Sequence, residues 1–286
     1  MSTGPTSFSG GLRMRRLIVN ADDFGAGSAT DRGILQAFRR GIVTSASLLA
    51  NAPHTSGAAI MAEDAGLPVG VHLNLADGYP LTGPIPGLST GNGRFPGKKQ
   101  LRRILISGPP EPDAVRRELA AQIERIMELG LTPDHIDTHQ HFFLFPSMTG
   151  LVLDLAGEYD IRALRMPLPA EDPADDPEGA LGEELALYRR LAPALRKPLE
   201  QRSIRTPRGL FGMPRLNRFD RPALEQIIRQ LPPGNWELMV HPGHVDRENP
   251  FGGPPREVEL QALLGPHLDD LIAQHGIRLI DFGALQ

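Results

Sequence analysis

The chain has 286 residues, a formal net charge of −4, 40% hydrophobic and 22% charged residues, and no cysteine. That composition is ordinary for a water-soluble globular domain and argues against a nucleic-acid partner, which would need a basic excess. The missing cysteines exclude disulfides, thiolate metal sites and a cysteine nucleophile, so any metal must use His, Asp or Glu, a donor set more typical of catalytic than structural sites.

Met1–Leu12 is rich in Ser, Thr and Gly and lacks the apolar stretch of a signal peptide. Residues 1–14 are read as a floppy extension and 15–286 as one domain. No window reaches the ~18–20 apolar residues of a membrane span, so the expectation is a cytoplasmic protein that is not integral to a membrane.

In chain order, Arg16–Asn20 is an apolar strand ending in Ala21-Asp22-Asp23-Phe24-Gly25. Thr30–Arg40 has helical spacing and stops at Gly41, read as a C-cap glycine. Ile42–Leu49 is a strand, Pro53–Ala65 a helix and Val69–Leu75 a strand; Asp77–Pro112 is a long Gly/Pro-rich loop. Asp113–Leu129 is an amphipathic helix, Asp134–Thr138 a strand, Ser147–Tyr159 a helix and Ile161–Met166 a strand, followed by an acidic loop over Pro167–Asp176. Glu183–Leu199 is helical but interrupted by Pro193; Trp236–His241 is a strand, Glu257–His275 a helix and Ile277–Phe282 a last strand. Strands alternating with helices imply a parallel sheet covered by helices. Seven or eight such units predict an α/β fold of the irregular (β/α)-barrel type, TIM-barrel-like, with an open doubly wound sheet as the rival.

The unusual polar residues fall at strand ends, where parallel α/β folds bind ligands. Asp22 and Asp23 end the first strand. Adjacent carboxylates repel unless a cation or proton intervenes, so one as metal ligand and one as general base resolves the conflict; the plainer alternative is a helix N-cap. His72 lies in the apolar strand Val69–Leu75 and suits either a ligand or a hydrogen-bonded core residue, with Asn74 on the same face placed to bond a substrate or the histidine. His135, Asp137, His139 and His141 share parity, so an extended chain projects them to one side. Three histidines there suit a metal role, with Asp137 able to orient a ligand imidazole from behind; a polar edge strand is the alternative. His241 follows Leu238-Met239-Val240 and reads as a general acid, or as a strand-ending histidine bound to loop backbone. Arg165 ends another strand and orients a carboxylate or a substrate oxygen, or makes a surface ion pair. No Walker loop, dinucleotide fingerprint or nucleophile elbow is present. The arginine-rich stretch Arg196–Arg218 reads as a solvated face, with grip on an anionic partner as the minor alternative.

The segments LIVNADDFG (Leu17–Gly25), GIVTSASLL (Gly41–Leu49), VGVHLNL (Val69–Leu75), HIDTHQH (His135–His141), LRMP (Leu164–Pro167) and ELMVHPG (Glu237–Gly243) together resemble the YdjC/ChbG-type carbohydrate deacetylases, including their hopanoid-biosynthesis branch. The resemblance spans nearly the whole chain. It implies a (β/α)-barrel-like fold and removal of acetyl groups from an N-acetylated amino sugar, either a chito-oligosaccharide or a glycolipid head group. It implies one divalent metal ion, Zn or Mg, bound by Asp23, His72 and His139. Asp22 is then the general base and His241 the general acid, while His135 and His141 support the ligands or face the substrate. Asn249–Pro255 departs from the family pattern and is read as a flexible insert that bears on substrate choice. Two rival functions are a metal-dependent phosphoesterase or amidohydrolase, which usually carries a His-x-His pair on its first strand, and a non-catalytic carbohydrate-binding protein. A homodimer through exposed apolar residues in Phe142–Phe145 completes the expectations.

Overall fold

The computed structural model describes residues 14–108, 111–247 and 249–285; apart from Met14, the expected N-terminal extension lies outside the described residues. The elements in chain order are β1 (Arg15–Phe24), α1 (Ser28–Arg40), β2 (Ser45–Leu48), α2 (Thr55–Ala65), β3 (Val69–Leu73), α3 (Lys98–Ser107), α4 (Pro112–Glu128), β4 (Ile136–Thr138), α5 (Pro146–Glu158), α6 (Ala180–Leu191), α7 (Arg196–Gln201), β5 (Leu210–Phe211), α8 (Arg221–Gln230), β6 (Gly234–Val240), α9 (Pro254–Leu263), α10 (His267–Gln274) and β7 (Ile277–Leu279).

All pairings of these strands are parallel, in the order β4-β3-β2-β1-β6-β5. The two ends are joined through residues 163–169, which make single bridges to both sides: Leu164 with Ile136 of β4, Ala163 with Arg205, and Pro169 with Leu210 of β5. This segment takes the place of the expected strand Ile161–Met166 and closes a ring of seven. It stays irregular because Pro167 and Pro169 have no N–H to give a ladder. β7 pairs with Arg15–Leu17 of β1, and β2 pairs with Asn20–Phe24 on the same edge, so the eighth strand is wedged beneath the ring. The α/β barrel reading therefore holds, and the open sheet does not. β1 shows why a central strand is so apolar: Leu17, Ile18, Val19 and Ala21 are fully buried, covered on both faces.

Several expectations are corrected. Gly41 is the C-cap of α1, as expected, but with extended and not left-handed backbone, φ −131°, and a side chain there would collide with the Leu263 carbonyl, to which this turn packs. The Gly/Pro-rich loop after β3 contains α3, whose Leu101 and Leu105 are buried. The expected helix Glu257–His275 is two helices, α9 and α10, divided at Gly265-Pro266. α8 was missed, although Asp220 caps it by accepting from Ala223 N at 3.0 Å and Pro222 follows at once. Phe142, Phe143, Leu144 and Phe145 are buried within the chain, so they offer no surface for a dimer. The insert after β6 is tied down: Asn249 Nδ2 donates to Thr30 Oγ1 at 3.2 Å and Gly252 N to Asn249 O at 2.8 Å. Among the described residues no helix is long and apolar enough to cross a membrane.

Gly70 in β3 marks a close approach rather than a bend. A Cβ built there would strike the ring of His135, which lies stacked on Phe282 with centroids 3.8 Å apart. Gly70→Ala is expected to destabilise the fold by about 1–3 kcal/mol through overpacking, read from the midpoint of urea unfolding.

Candidate metal centre at the strand ends

Asp22 and Asp23 reach one region because β1 does not end as a regular strand. Its register with β2 shifts between Ala21 and Phe24, and Asp23 takes φ 64°, a left-handed conformation that Asp tolerates better than most residues. Neither aspartate caps α1; Asp246, from the loop after β6, accepts from Ala29 N at 3.1 Å and Thr30 N at 3.3 Å instead. The turn after Asp23 is held by a second pair. Asp31 accepts from Gly25 N at 2.7 Å and contacts His54 Nδ1 at 2.5 Å, while His54 N donates to Gly25 O at 3.0 Å.

Asp23, His72 and His139 each present one donor atom within 4.8 Å of the others. Asp23 Oδ1 lies 3.1 Å from His139 Nδ1 and 3.5 Å from His72 Nε2, and the two imidazole nitrogens are 3.1 Å apart. Asp23 Oδ1 is buried and has no hydrogen bond of good geometry, an orphaned anion of the kind a cation satisfies. Behind each imidazole stands a carboxylate: Asp137 Oδ1 at 2.9 Å from His72 Nδ1, and Asp77 Oδ2 at 2.9 Å from His139 Nε2. That is the arrangement by which metal-binding histidines are oriented. Positive charge is favoured here: burial lowers the His139 pKa, but Asp23 and then Asp77 push it up to about 10. Burial likewise works against the Asp23 anion, yet His139, His241 and His72 hold its pKa well below the usual range. One carboxylate and two imidazoles suit a divalent ion such as Zn²⁺. Asp22, His72 and Asp137 form a second cluster, but the charge of Asp22 and Asp137 is already met by an arginine.

That arginine is Arg165, which is 1% exposed and is no surface ion-pair residue. Its guanidinium donates to Asp22 Oδ2 at 2.7 Å and Oδ1 at 2.5 Å, and to Glu237 Oε1 at 2.8 Å, and lies 2.5 Å from Asp137 Oδ2. Burial disfavours the Asp22 anion, but Arg165 overrides it and keeps the carboxyl well below the ordinary range. Asn20 adds a further clamp: its Nδ2 donates to Asp22 Oδ1 at 2.9 Å and Ser47 Oγ at 2.7 Å, and its Oδ1 accepts from Ser45 Oγ at 2.7 Å.

His241 sits at the end of β6. Its backbone N donates to Glu259 Oε1 at 2.8 Å, and its ring meets Phe251 edge-on with centroids 5.3 Å apart. Burial, opposed by Asp22 and Asp23 and aided by Arg256, lowers its pKa to about 4, which favours the neutral imidazole at pH 7.

The shared side that parity gives His135, Asp137 and His139 is kept, at different depths along the barrel, and His141 departs from it. The chain leaves β4 after Thr138, and Gln140 and His141 take φ 62° and 55°. His139 faces Asp23, whereas His135 lies below, between Asp134 Oδ1 at 2.6 Å and Ser47 Oγ at 3.2 Å. His141 meets Tyr188 edge-on and keeps a buried Nδ1 without a partner; burial and the Arg165 charge lower its pKa to about 3. Asn74 contacts neither His72 nor the cluster. It accepts from Ala76 N and Asp77 N and donates to Asp77 O and Asn51 Oδ1, which shapes the loop carrying Asp77. Sequence reading missed Asn20, Ser47, Asp77, Glu237 and Glu259. Asn20 and Glu237 were detectable as polar residues inside apolar parallel strands, Asn20 with the same parity as Asp22; Asp77 lay in a loop with no periodicity to read.

These features define a class: a parallel α/β barrel with a candidate Asp-His-His metal centre at the carboxyl ends of its strands. Residues 16–274 match the family model described as YdjC-like protein. The mouse carbohydrate deacetylase is 33% identical over 92% of this chain and 93% of its own length. The Escherichia fergusonii chitooligosaccharide deacetylase is 34% identical over 93% of this chain and 97% of its own length. The crystal structure of a candidate cellobiose-phosphate cleavage protein from Enterococcus faecalis V583 superposes with a TM-score of 0.74 at 26% identity, covering 94% of this chain and 98% of that one. The chain belongs to the YdjC-like carbohydrate deacetylase family.

Two outcomes follow from the geometry. Asp77 has an exposed side chain, so Asp77→Ala is expected to leave the melting temperature unchanged and to weaken Zn²⁺ binding about 10–100-fold by calorimetry. Burial, outweighing Arg165, raises the Glu237 pKa from 4.5 to about 7. The folded state therefore holds a proton there that the unfolded chain releases, and this group's contribution to stability falls as pH rises from about 4.5 to about 7. Glu237→Gln is expected to flatten that part of the stability profile, measured by urea unfolding at stepped pH.

Proposed function

We infer that this protein is a metal-dependent carbohydrate deacetylase that hydrolyses the acetamide of an N-acetylated amino sugar, with Asp23, His72 and His139 as the metal ligands. The observation that carries the reading is the orphaned Asp23 Oδ1 facing two imidazoles that are each backed by a carboxylate. The family supports the substrate class: the mouse relative is named a carbohydrate deacetylase and the E. fergusonii relative a chitooligosaccharide deacetylase. A chito-oligosaccharide is therefore the first substrate to test, ahead of an acetylated glycolipid head group.

A divalent ion, Zn²⁺ or Mg²⁺, supplies Lewis-acid polarisation of the acetyl carbonyl and makes water more acidic. The remaining work falls to the chain. Asp22, fixed as an anion by Arg165 and Asn20, accepts the proton of the attacking water. Its low proton affinity makes that protonation transient, so the proton moves on. His241 is neutral at pH 7 and within the field of Asp22, so it can take up this proton and deliver it to the amine nitrogen as the C–N bond breaks. Acetate and the free amino sugar then leave. His141, with its free buried Nδ1, is a candidate donor or acceptor for a sugar hydroxyl.

The test is acetate release from N-acetylglucosamine oligomers before and after chelation, with Zn²⁺ or Mg²⁺ added back. Metal-restored release is expected. Asp22→Asn should cut turnover about 10²–10⁴-fold with metal content unchanged; retained turnover removes Asp22 from the chemistry, and no release by the fully loaded wild type overturns the reading for this substrate.

A further inference from the structure

The arginine-rich stretch Arg196–Arg218 takes no part in the metal centre, yet two of its arginines meet at a cavity of about 390 Å³ in the barrel wall. The wall is poorly paired there. Between the bridges Ala163–Arg205 and Pro169–Leu210 the two segments carry Pro167, Pro169 and Pro207, none of which has an N–H to donate. None of the cavity's lining residues belongs to the metal centre.

Trp236, the single tryptophan of the chain, forms one side of the cavity. Its Nε1 is shut off from solvent, so it is the ring carbons of the half-buried indole that the cavity meets. Arg196 and Arg208 are exposed at the mouth. Neither guanidinium makes an ion pair or hydrogen bond with any described residue. Two cations facing one space without a carboxylate repel each other, a cost that a bound anion removes. Two glycines let Arg208 and Trp236 lie close against the backbone. A Cβ at Gly234 would come 2.7 Å from Arg208 Cδ and 2.8 Å from its Nε, and one at Gly209 would come 3.2 Å from the Trp236 ring.

We propose that this cavity binds a small anion carried on a sugar-sized ring, with the anionic group between Arg196 and Arg208 and the ring against the Trp236 indole. Guanidinium forks match carboxylate and phosphate oxygens, and the volume falls in the range of small-molecule sites, roughly 300–1,000 Å³. A bare inorganic anion leaves the indole unused, and an acidic peptide is too long for the space.

Trp236 fluorescence reports on this cavity alone, because there is no other tryptophan. The full chain, with EDTA present and ionic strength constant, is titrated with glucose 6-phosphate, glucuronate, glucose and inorganic phosphate. A saturable change is expected with at least one ring anion, about tenfold or more tighter than with glucose or inorganic phosphate. Loss of two charge-assisted contacts in the Arg196→Ala/Arg208→Ala variant is expected to weaken it about tenfold or more with the melting temperature unchanged. The tighter of the two ring anions tells phosphate from carboxylate recognition. No saturable change with either ring anion, an equal response to glucose, or a response that survives the double substitution overturns the proposal. Because none of the lining residues is a candidate metal ligand, these outcomes stand whether or not the chain releases acetate.

Discussion

One buried guanidinium organises this molecule. Arg165 comes from the irregular segment that closes the barrel, and it meets carboxylates from β1, β4 and β6, namely Asp22, Asp137 and Glu237. Removing the guanidinium from such a buried cluster costs about 3–5 kcal/mol, because the carboxylates are left uncompensated. The cluster is also unbalanced, with three acids around one base. Burial, with Asp22 and Asp137 close by, pushes the Glu237 pKa up, and Asp23 and Asp77 push that of His139 up beside it. The barrel's closure and the character of its candidate centre thus rest on the same interaction.

From Arg165 the order propagates outward through hydrogen bonds. Asp137 passes it to His72, fixing which nitrogen faces Asp23. Asp22 passes it to Asn20, Ser47 and His135, deep in the barrel. Asp77 does for His139 what Asp137 does for His72, but from an exposed loop whose shape depends on Asn74 and Asn51. The two imidazoles are therefore supported unequally: one by a buried carboxylate in a charge network, one by a loop at the rim. A rim-supported ligand is the more easily disturbed by whatever enters the site.

The irregular segment has a second consequence. Prolines that prevent it from forming a ladder leave the wall open where Trp236, Arg196 and Arg208 gather. The same chain segment therefore carries the central arginine at its start and borders a cavity farther along.

By itself the sequence determined the parallel α/β barrel and the order of most elements, and it put Asp22, Asp23, His72, the His135–His141 run and His241 at strand ends as candidates, because periodicity and strand-end position are local properties. It left α3 concealed in a Gly/Pro-rich stretch and β5 at two residues, too short for any period to show. Only the tertiary structure decided which histidines face Asp23. Left-handed backbone at Gln140 and His141 turned His141 away from the run, and Gly70 left room for the His135 ring lower in the barrel. It alone revealed Asp77 and Glu259 as residues that hold the site, since they act on partners 62 and 18 positions away in the chain. The physical reason is that a side chain's type is written locally, whereas its charge state and orientation are set by what the fold packs against it.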